Sequence, residues 1–184
     1  ATNQNDILHR CLSTGGYVTD SVTPSISPSM DIQVSSNFER ALFDAYDRDG
    51  NAVTQLMAEL KAGGFHVSQG AQQVLRDHYD SGRVSEQETL DMITHANTHM
   101  GELLCPHSAI GVKVAEDLKD PKVPMITLAT AHPAKFPDAV EKASGYRPPL
   151  PDRMADLFDR DERMTRVPND LEQLETLIKD RIAS

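Results

Sequence analysis

The chain has 184 residues, 25% of them charged and 5% aromatic, with a formal net charge of -10. This is the length and composition of one globular domain rather than of a disordered chain, and an acidic balance without a Lys/Arg cluster argues against nucleic acid as partner. Two cysteines, Cys11 and Cys105, are too few for a disulfide framework and fit thiols in a reducing cytoplasm. No apolar run approaches the ~20 residues of a membrane helix, and no signal peptide is recognisable, so no membrane is expected as partner.

In chain order, the pattern predicts a first helix over Asn5–Thr14, capped by Asn3 or Asn5 and ended by Gly15-Gly16. Residues 17–29 are rich in Ser, Thr and Pro and read as loop. Ser36-x-x-Glu39 reads as a capping box opening a helix that carries Phe38, Leu42, Phe43 and Tyr46. Asp47-Arg-Asp-Gly50-Asn51 reads as a turn, Ala52–Ala62 as a third helix and Gln69–Tyr79 as a fourth. A second capping box, Ser85-x-x-Glu88, opens a helix running to Met100, followed by a break at Gly101–Pro106 and a helix over Ser108–Lys119 with Ser108 as its cap.

Val123–Ala129 is the one convincing strand, and it runs into Thr130, His132 and a proline-set turn before a helix over Pro137–Ala143. In open α/β folds ligands sit beyond the carboxyl ends of strands, which places Thr130 and His132 where such folds keep their chemistry. Asn169-x-x-Glu172 is read as opening a last amphipathic helix with Leu171, Leu174, Ile178 and Ile182 on one face. The tally is about eight helices and one strand, with no internal boundary over residues 1–184. One strand cannot form a sheet, because its unpaired backbone groups need neighbours. Either the chain is all-α with an odd apolar segment, or the rest of the sheet belongs to absent residues. A start at Ala1 rather than Met favours the second.

Taken singly, the candidate chemical groups are ambiguous. His95 and His99 share a helix face with Cys105 and His107 nearby, but no His-Glu-x-x-His is present, and two solvent-facing histidines are preferred to a metal site. In Asp47-Arg-Asp49-Gly50 the glycine falls at the fourth position rather than the sixth, and no Glu occupies the twelfth, so a turn is preferred to a calcium loop. Cys11 sits on an apolar helix face and reads as core. Ser108, with His107 beside it, is either a cap or part of a helix N-terminus facing a ligand.

Five blocks change the reading when taken in order: Ala1-Thr-Asn-Gln-Asn-Asp-Ile-Leu8, Ser27-Pro-Ser-Met-Asp-Ile32, Ser36-Asn-Phe-Glu-Arg40, Cys105-Pro-His-Ser-Ala-Ile-Gly111 and Thr127-Leu-Ala-Thr-Ala-His-Pro-Ala-Lys-Phe-Pro-Asp-Ala-Val140. Across nearly its whole length the chain resembles the C-terminal portion of threonine synthase, in the branch shared by bacteria and fungi. The resemblance implies an α/β fold. It would be the C-terminal part of the tryptophan-synthase-β-like, pyridoxal-phosphate-dependent fold (fold type II), helix-rich and with sheet partners missing from this chain. It implies a lyase of threonine biosynthesis that converts O-phospho-L-homoserine and water to L-threonine and phosphate.

The cofactor expected in the intact enzyme is pyridoxal 5'-phosphate, an electron sink that the protein positions and tunes. The family's Schiff-base lysine, in a Ser-Phe-Lys-Asp type motif, and its Gly-Asn-Phe-Gly-Asn phosphate loop are absent here. No catalytic residue is therefore assigned to this chain, Lys113 and Lys135 are not promoted to that role, and the chain alone is expected to be inactive. The partners expected are the substrate and the missing N-terminal portion of the same protein. By the resemblance, Thr130 contacts the pyridine nitrogen and Asn3 and Asn5 line the pocket. His132, His107 and Ser108 support them from behind, and no metal ligand is assigned. A self-contained, non-catalytic helical binding protein derived from the same family is the alternative.

Overall fold

The computed structural model describes residues 1–183, which fall into two compact units, Ala1–Pro149 and Leu150–Ser184. Among the described residues there are eight α-helices and two strands, and no helix is long and apolar enough to cross a membrane. The strands are not where the sequence pattern puts one. Gly16–Val18 (β1) and Gly64–His66 (β2) pair antiparallel, with Tyr17 opposite Phe65. Both lie in stretches read as loop or helix stop, because three residues are too few for an alternating pattern to register.

This strand pair joins the helices Ile7–Thr14 (α1), Phe38–Ala45 (α2), Gly50–Lys61 (α3) and Gln69–His78 (α4). Ile7, Cys11, Tyr17, Leu42, Leu56, Phe65 and Leu75 make their common core. Tyr17 stacks on Phe65 and Phe38 with ring centroids 5.0 and 5.9 Å away, and its hydroxyl accepts the Ser35 N–H at 2.8 Å. Cys11 is core as expected, and burial pushes its thiol up to about 11.

Two helix starts differ from expectation here. α1 begins after Asp6, whose side chain makes no cap bond but pairs with Arg10 at 2.9 Å, so neither Asn3 nor Asn5 caps it. α2 begins after Asn37, with no side-chain cap. A turn closed by Phe38 N–H on the Ser35 carbonyl already holds Asn37 in helical conformation, so the Ser36–Glu39 box does not form. The Ser85–Glu88 box does form, with both reciprocal bonds present, and opens Glu86–His95 (α5). A π-helical turn then carries the chain on to Met100, and the exposed His95 and His99 rings stack there 4.6 Å apart.

Pro106–Leu118 (α6) starts two residues earlier than expected. Proline suits the first helical position, since it lacks an N–H that would be orphaned there and its φ is preset. The cap is the Cys105 thiol, which accepts the Ser108 N–H at 3.4 Å, so Ser108 lies inside the first turn rather than at the cap. α5 and α6 meet through Met92, Ile93 and Ala109, joined by Ala143 of Pro137–Ser144 (α7), and Val84, Ile110 and Val114 form a third small cluster with Met30.

Val123–Ala129 forms no ladder. It is exposed throughout, with Ile126 at 84% and Leu128 at 76%. No strand among the described residues lies beside it to exchange backbone hydrogen bonds, which is what a strand needs to be one. A shorter hint of parallel pairing sits elsewhere: the Thr2 N–H donates to the Gly82 carbonyl at 2.9 Å and the Thr2 carbonyl accepts the Val84 N–H at 3.0 Å, an isolated bridge between Thr2 and Arg83.

The second unit contains two single 3-10 turns, Asp152–Met154 and Leu157–Asp159, and the helix Leu171–Ala183 (α8). Asp170, not Asn169, supplies the starting bond, its carboxylate accepting the Gln173 N–H at 3.0 Å.

Candidate functional site

The expected site residues fall into two groups. The first gathers at the start of α6. Thr130 is exposed, and its N–H donates to Ser108 Oγ at 3.0 Å, with Thr130 Oγ1 3.3 Å from the same oxygen. Cys105 Sγ lies 3.3 Å from Ser108 Oγ and 4.0 Å from Thr130 Oγ1. Having accepted from the Thr130 amide, Ser108 has its own proton for Thr130 Oγ1 or the thiol. Where it donates to Thr130, the Thr130 hydroxyl proton is left to point outward. α6 also presses close under the approach to Thr130, since a Cβ on Gly111 would lie 3.2 Å from Thr127 Cγ2.

His107 sits beside this pair, 7% exposed, with its ring against Phe136 at a centroid distance of 4.5 Å. Its Nε2 accepts the Ser29 N–H at 3.1 Å, while Nδ1 is buried without a partner. Burial, and then the nearby Lys135 charge, lower its pKa, with Asp31 pulling the other way. His132 is exposed and turned to its own backbone, Nδ1 accepting the Ala134 N–H at 3.2 Å to open the turn Pro133–Lys135.

The second group is a buried polar knot. Asn3 and Asn5 are 3% and 4% exposed. Asn3 Nδ2 donates to Asp31 Oδ1 at 2.7 Å, and Asn5 Nδ2 donates to the same oxygen at 2.9 Å. Ser25 adds its hydroxyl at 2.6 Å and its amide, on Oδ2, at 2.8 Å. Asn5 Oδ1 in turn accepts the Thr23 N–H at 2.8 Å. The knot therefore ties the chain start to loop 23–31. Among the described residues no hydrogen bond joins either Asn to Thr130. The sequence reading missed Asp31 and Ser25, although Asp31 stands in a block it quoted; a lone carboxylate among serines was the signal.

Of the two lysines, Lys113 pairs with Asp117 at 2.5 Å, and Lys135 Nζ lies 5.6 Å over the Phe136 ring. Among the described residues no three His, Cys, Asp or Glu side chains group as a metal would require.

Comparison with known proteins supplies the context for this arrangement. The family model described as "Threonine synthase, C-terminal" matches residues 108–178. The chain is 49% identical over 181 residues to the threonine synthase of Pseudomonas aeruginosa, and the match covers 97% of this chain and 39% of that protein. The chain matches the C-terminal portion of threonine synthases. It is also 35% identical to the Corynebacterium glutamicum enzyme, covering all of this chain and 40% of that protein. Among solved structures, the PLP-bound threonine synthase of Brucella melitensis superposes with a TM-score of 0.91 at 47% identity, and that of yeast with 0.84 at 34%. All of this chain is covered in both, with 40% and 41% of those chains. A threonine synthase from Escherichia coli, at 23% identity and a TM-score of 0.66, shares the fold. The chain thus spans about two-fifths of the length of its relatives. Its fold is the helix-rich C-terminal part of the α/β fold of threonine synthases, the tryptophan-synthase-β-like fold type II.

Proposed function

We propose that this segment acts as the C-terminal portion of a pyridoxal-phosphate-dependent threonine synthase. The intact enzyme would convert O-phospho-L-homoserine and water to L-threonine and phosphate, with Thr130 set against the pyridine nitrogen of the cofactor. The observation that carries the reading is the Ser108–Thr130 pair: the Thr130 amide is committed to Ser108 Oγ at 3.0 Å while its hydroxyl side remains exposed. The 0.91 superposition on a PLP-bound threonine synthase supports it.

The bound cofactor would supply an electron sink for carbon acidity. The residues of this chain fit one side of it. A threonine hydroxyl donates a hydrogen bond to an unprotonated ring nitrogen, whereas a carboxylate there would stabilise the pyridinium. Ser108 holds the Thr130 backbone and keeps its own proton for the Thr130 hydroxyl or the Cys105 thiol. Cys105, as the cap of α6, fixes Ser108 in turn. His132 shapes the turn after Thr130, and Asp31 holds Asn3 and Asn5, which would line the pocket. Lys113, paired with Asp117, and Lys135, lying over Phe136, are not taken as the lysine that would carry the cofactor, since neither stands in a Ser-Phe-Lys-Asp type motif.

Two experiments test this. Thr130→Val in the intact enzyme removes the hydroxyl at nearly constant volume. Turnover is expected to fall on the order of 10²-fold, the usual loss for one aimed donor, with an unchanged unfolding curve; wild-type kinetics would overturn the assignment. The 184-residue chain alone, mixed with pyridoxal phosphate and O-phospho-L-homoserine, is expected to release no phosphate. Release above the free-cofactor rate would show that the segment carries its own catalytic lysine.

A further inference from the structure

The two groups of candidate residues, the Asn3–Asn5–Asp31 knot and the Ser108–Thr130 pair, meet at one side chain. Among the described residues a single hydrogen bond joins loop 23–31 to the start of α6, from Ser29 N–H to His107 Nε2 at 3.1 Å. Ser29 lies in the turn Pro28–Met30, and Asp31, one residue beyond that turn, is the acceptor that gathers Asn3, Asn5 and Ser25. His107 is the immediate neighbour of Ser108, which holds Thr130. Its ring also braces Phe136, so the imidazole touches the loop, the helix and the turn after His132.

The geometry fixes the state of that ring. An Nε2 that accepts an N–H carries no proton, so a neutral imidazole must carry its proton on Nδ1. Protonating Nε2 would set one N–H against another, inside the protein. The charged groups bearing on the ring are Lys135, from the Phe136 turn, which opposes a second proton, and Asp31, from the loop side, which favours one; burial opposes it most.

We propose that His107 is a positioning residue: a neutral, Nδ1-protonated imidazole that joins the Asn3–Asn5–Asp31 knot to the Ser108–Thr130 pair, so that both hold one geometry, and whose protonation parts them. Its consequence at the cofactor rests on the proposed function above. The tautomer and the joint do not.

The test uses the intact enzyme with labelled histidine. Imidazole nitrogen NMR is expected to show the His107 proton on Nδ1, and the opposite tautomer overturns the proposal. Hydrogen exchange at the Ser29 amide gives a second readout. His107→Gln places an oxygen near the Nε2 position and is expected to keep Ser29 protected at every pH. His107→Asn, which mimics only Nδ1, is expected to lose protection at least about tenfold. Wild type is expected to lose it about tenfold per pH unit below the ring's pKa, following the neutral fraction. Unchanged Ser29 protection in a folded His107→Asn protein overturns the joint. Where that variant does not fold, judged by exchange at Leu56 in α3, the wild-type tautomer and its pH series decide alone. A correct tautomer beside an inert Thr130→Val would leave the joint standing and remove only its role at the cofactor.

Discussion

The α1–α4 region and the stretch from Cys105 to Phe136 bury different mixtures of side chains. In the first, apolar side chains are inside: Ile7, Leu42 and Leu75 are each 1% exposed, and the polar atoms that must be buried have partners, as Tyr17 does in Ser35. In the second, Cys105, Ala109, Ile110 and Val114 are also buried, but polar side chains are buried beside them and a branched apolar run lies outside. His107 and Ser108 are 7% and 3% exposed, while Ile126 and Leu128 are 84% and 76% exposed. A core of the first kind explains its own stability through area removed from water. The second is explained so only in part: Ala109, Ile110 and Val114 contribute by burial, while the buried imidazole and hydroxyl contribute little and the two bare branched side chains nothing. The contrast marks residues 123–129 as the part of this stretch that has no packed partner among the described residues.

The largest expected effect sharpens that contrast directly. Leu75→Ala should cost the 184-residue chain about 2–5 kcal/mol, because it empties space among Ile7, Tyr17 and Phe65 that cannot fully collapse. Ile126→Asp, chemically the more drastic change, should stay within about 0.5 kcal/mol of wild type, since the side chain leaves no packed neighbours behind. Denaturant unfolding of both variants checks the pair. Equal losses would mean that residues 123–129 are packed after all. Next in size is the barrier increase expected for Thr130→Val, which acts on turnover and leaves unfolding unmoved.

Gly111→Ala probes the contact between α6 and the exposed segment within the second region. Alanine is the better helix former by about 1 kcal/mol, and the new Cβ would sit 3.2 Å from Thr127 Cγ2, so Thr127 must give by a few tenths of an ångström. In this chain the exposed, unladdered segment can give, and a stability gain below about 1 kcal/mol is expected by thermal unfolding. In an intact enzyme, where the same segment would be held in a sheet, the sign should reverse and turnover should fall. A loss in both settings would show that the segment is already rigid here.

Much of this was legible in the sequence, for local reasons. Ser85-x-x-Glu88 states its own capping geometry, and Gly15 and Gly145, with φ of +83° and +72°, stop helices where a left-handed residue is needed. The order of the blocks drew attention to Thr130 and Ser108, and their pairing, which the blocks do not state, follows from α6 starting at Pro106. What was not legible depends on contacts distant in sequence. The antiparallel β1–β2 pair spans 45 residues of intervening chain between Val18 and Gly64, and the knot around Asp31 joins Asn3 across 28 positions. The reading of Val123–Ala129 as a strand identified its composition correctly. Strand formation, however, belongs to a pair of segments and cannot be carried by one. Asn3 and Asn5 were read as caps or pocket residues because a side-chain amide fits either; the cap is overturned, and the Asp31 carboxylate that holds both amides lies too far along the chain to be read from sequence.

The smallest expected effect concerns pH. His107 is held neutral in the fold, so its pKa there lies below the unfolded value of about 6.5. Between the two values the unfolded chain binds more protons than the folded one, and stability must rise with pH across that interval. His107's contribution is therefore fully present above about pH 6.5 and is lost as pH falls from there toward the ring's own lowered value. Below both it no longer changes. His107→Gln, which keeps an acceptor for Ser29 but cannot titrate, should flatten that part of the stability curve. Comparison of wild type and variant by denaturant midpoint from pH 7.5 to pH 5 isolates the ring from the other six histidines, since each contributes equally to both curves. A slope that survives the substitution would place the titrating group elsewhere. A slope that vanishes would tie the acid sensitivity of this region to the one imidazole between loop 23–31 and Ser108.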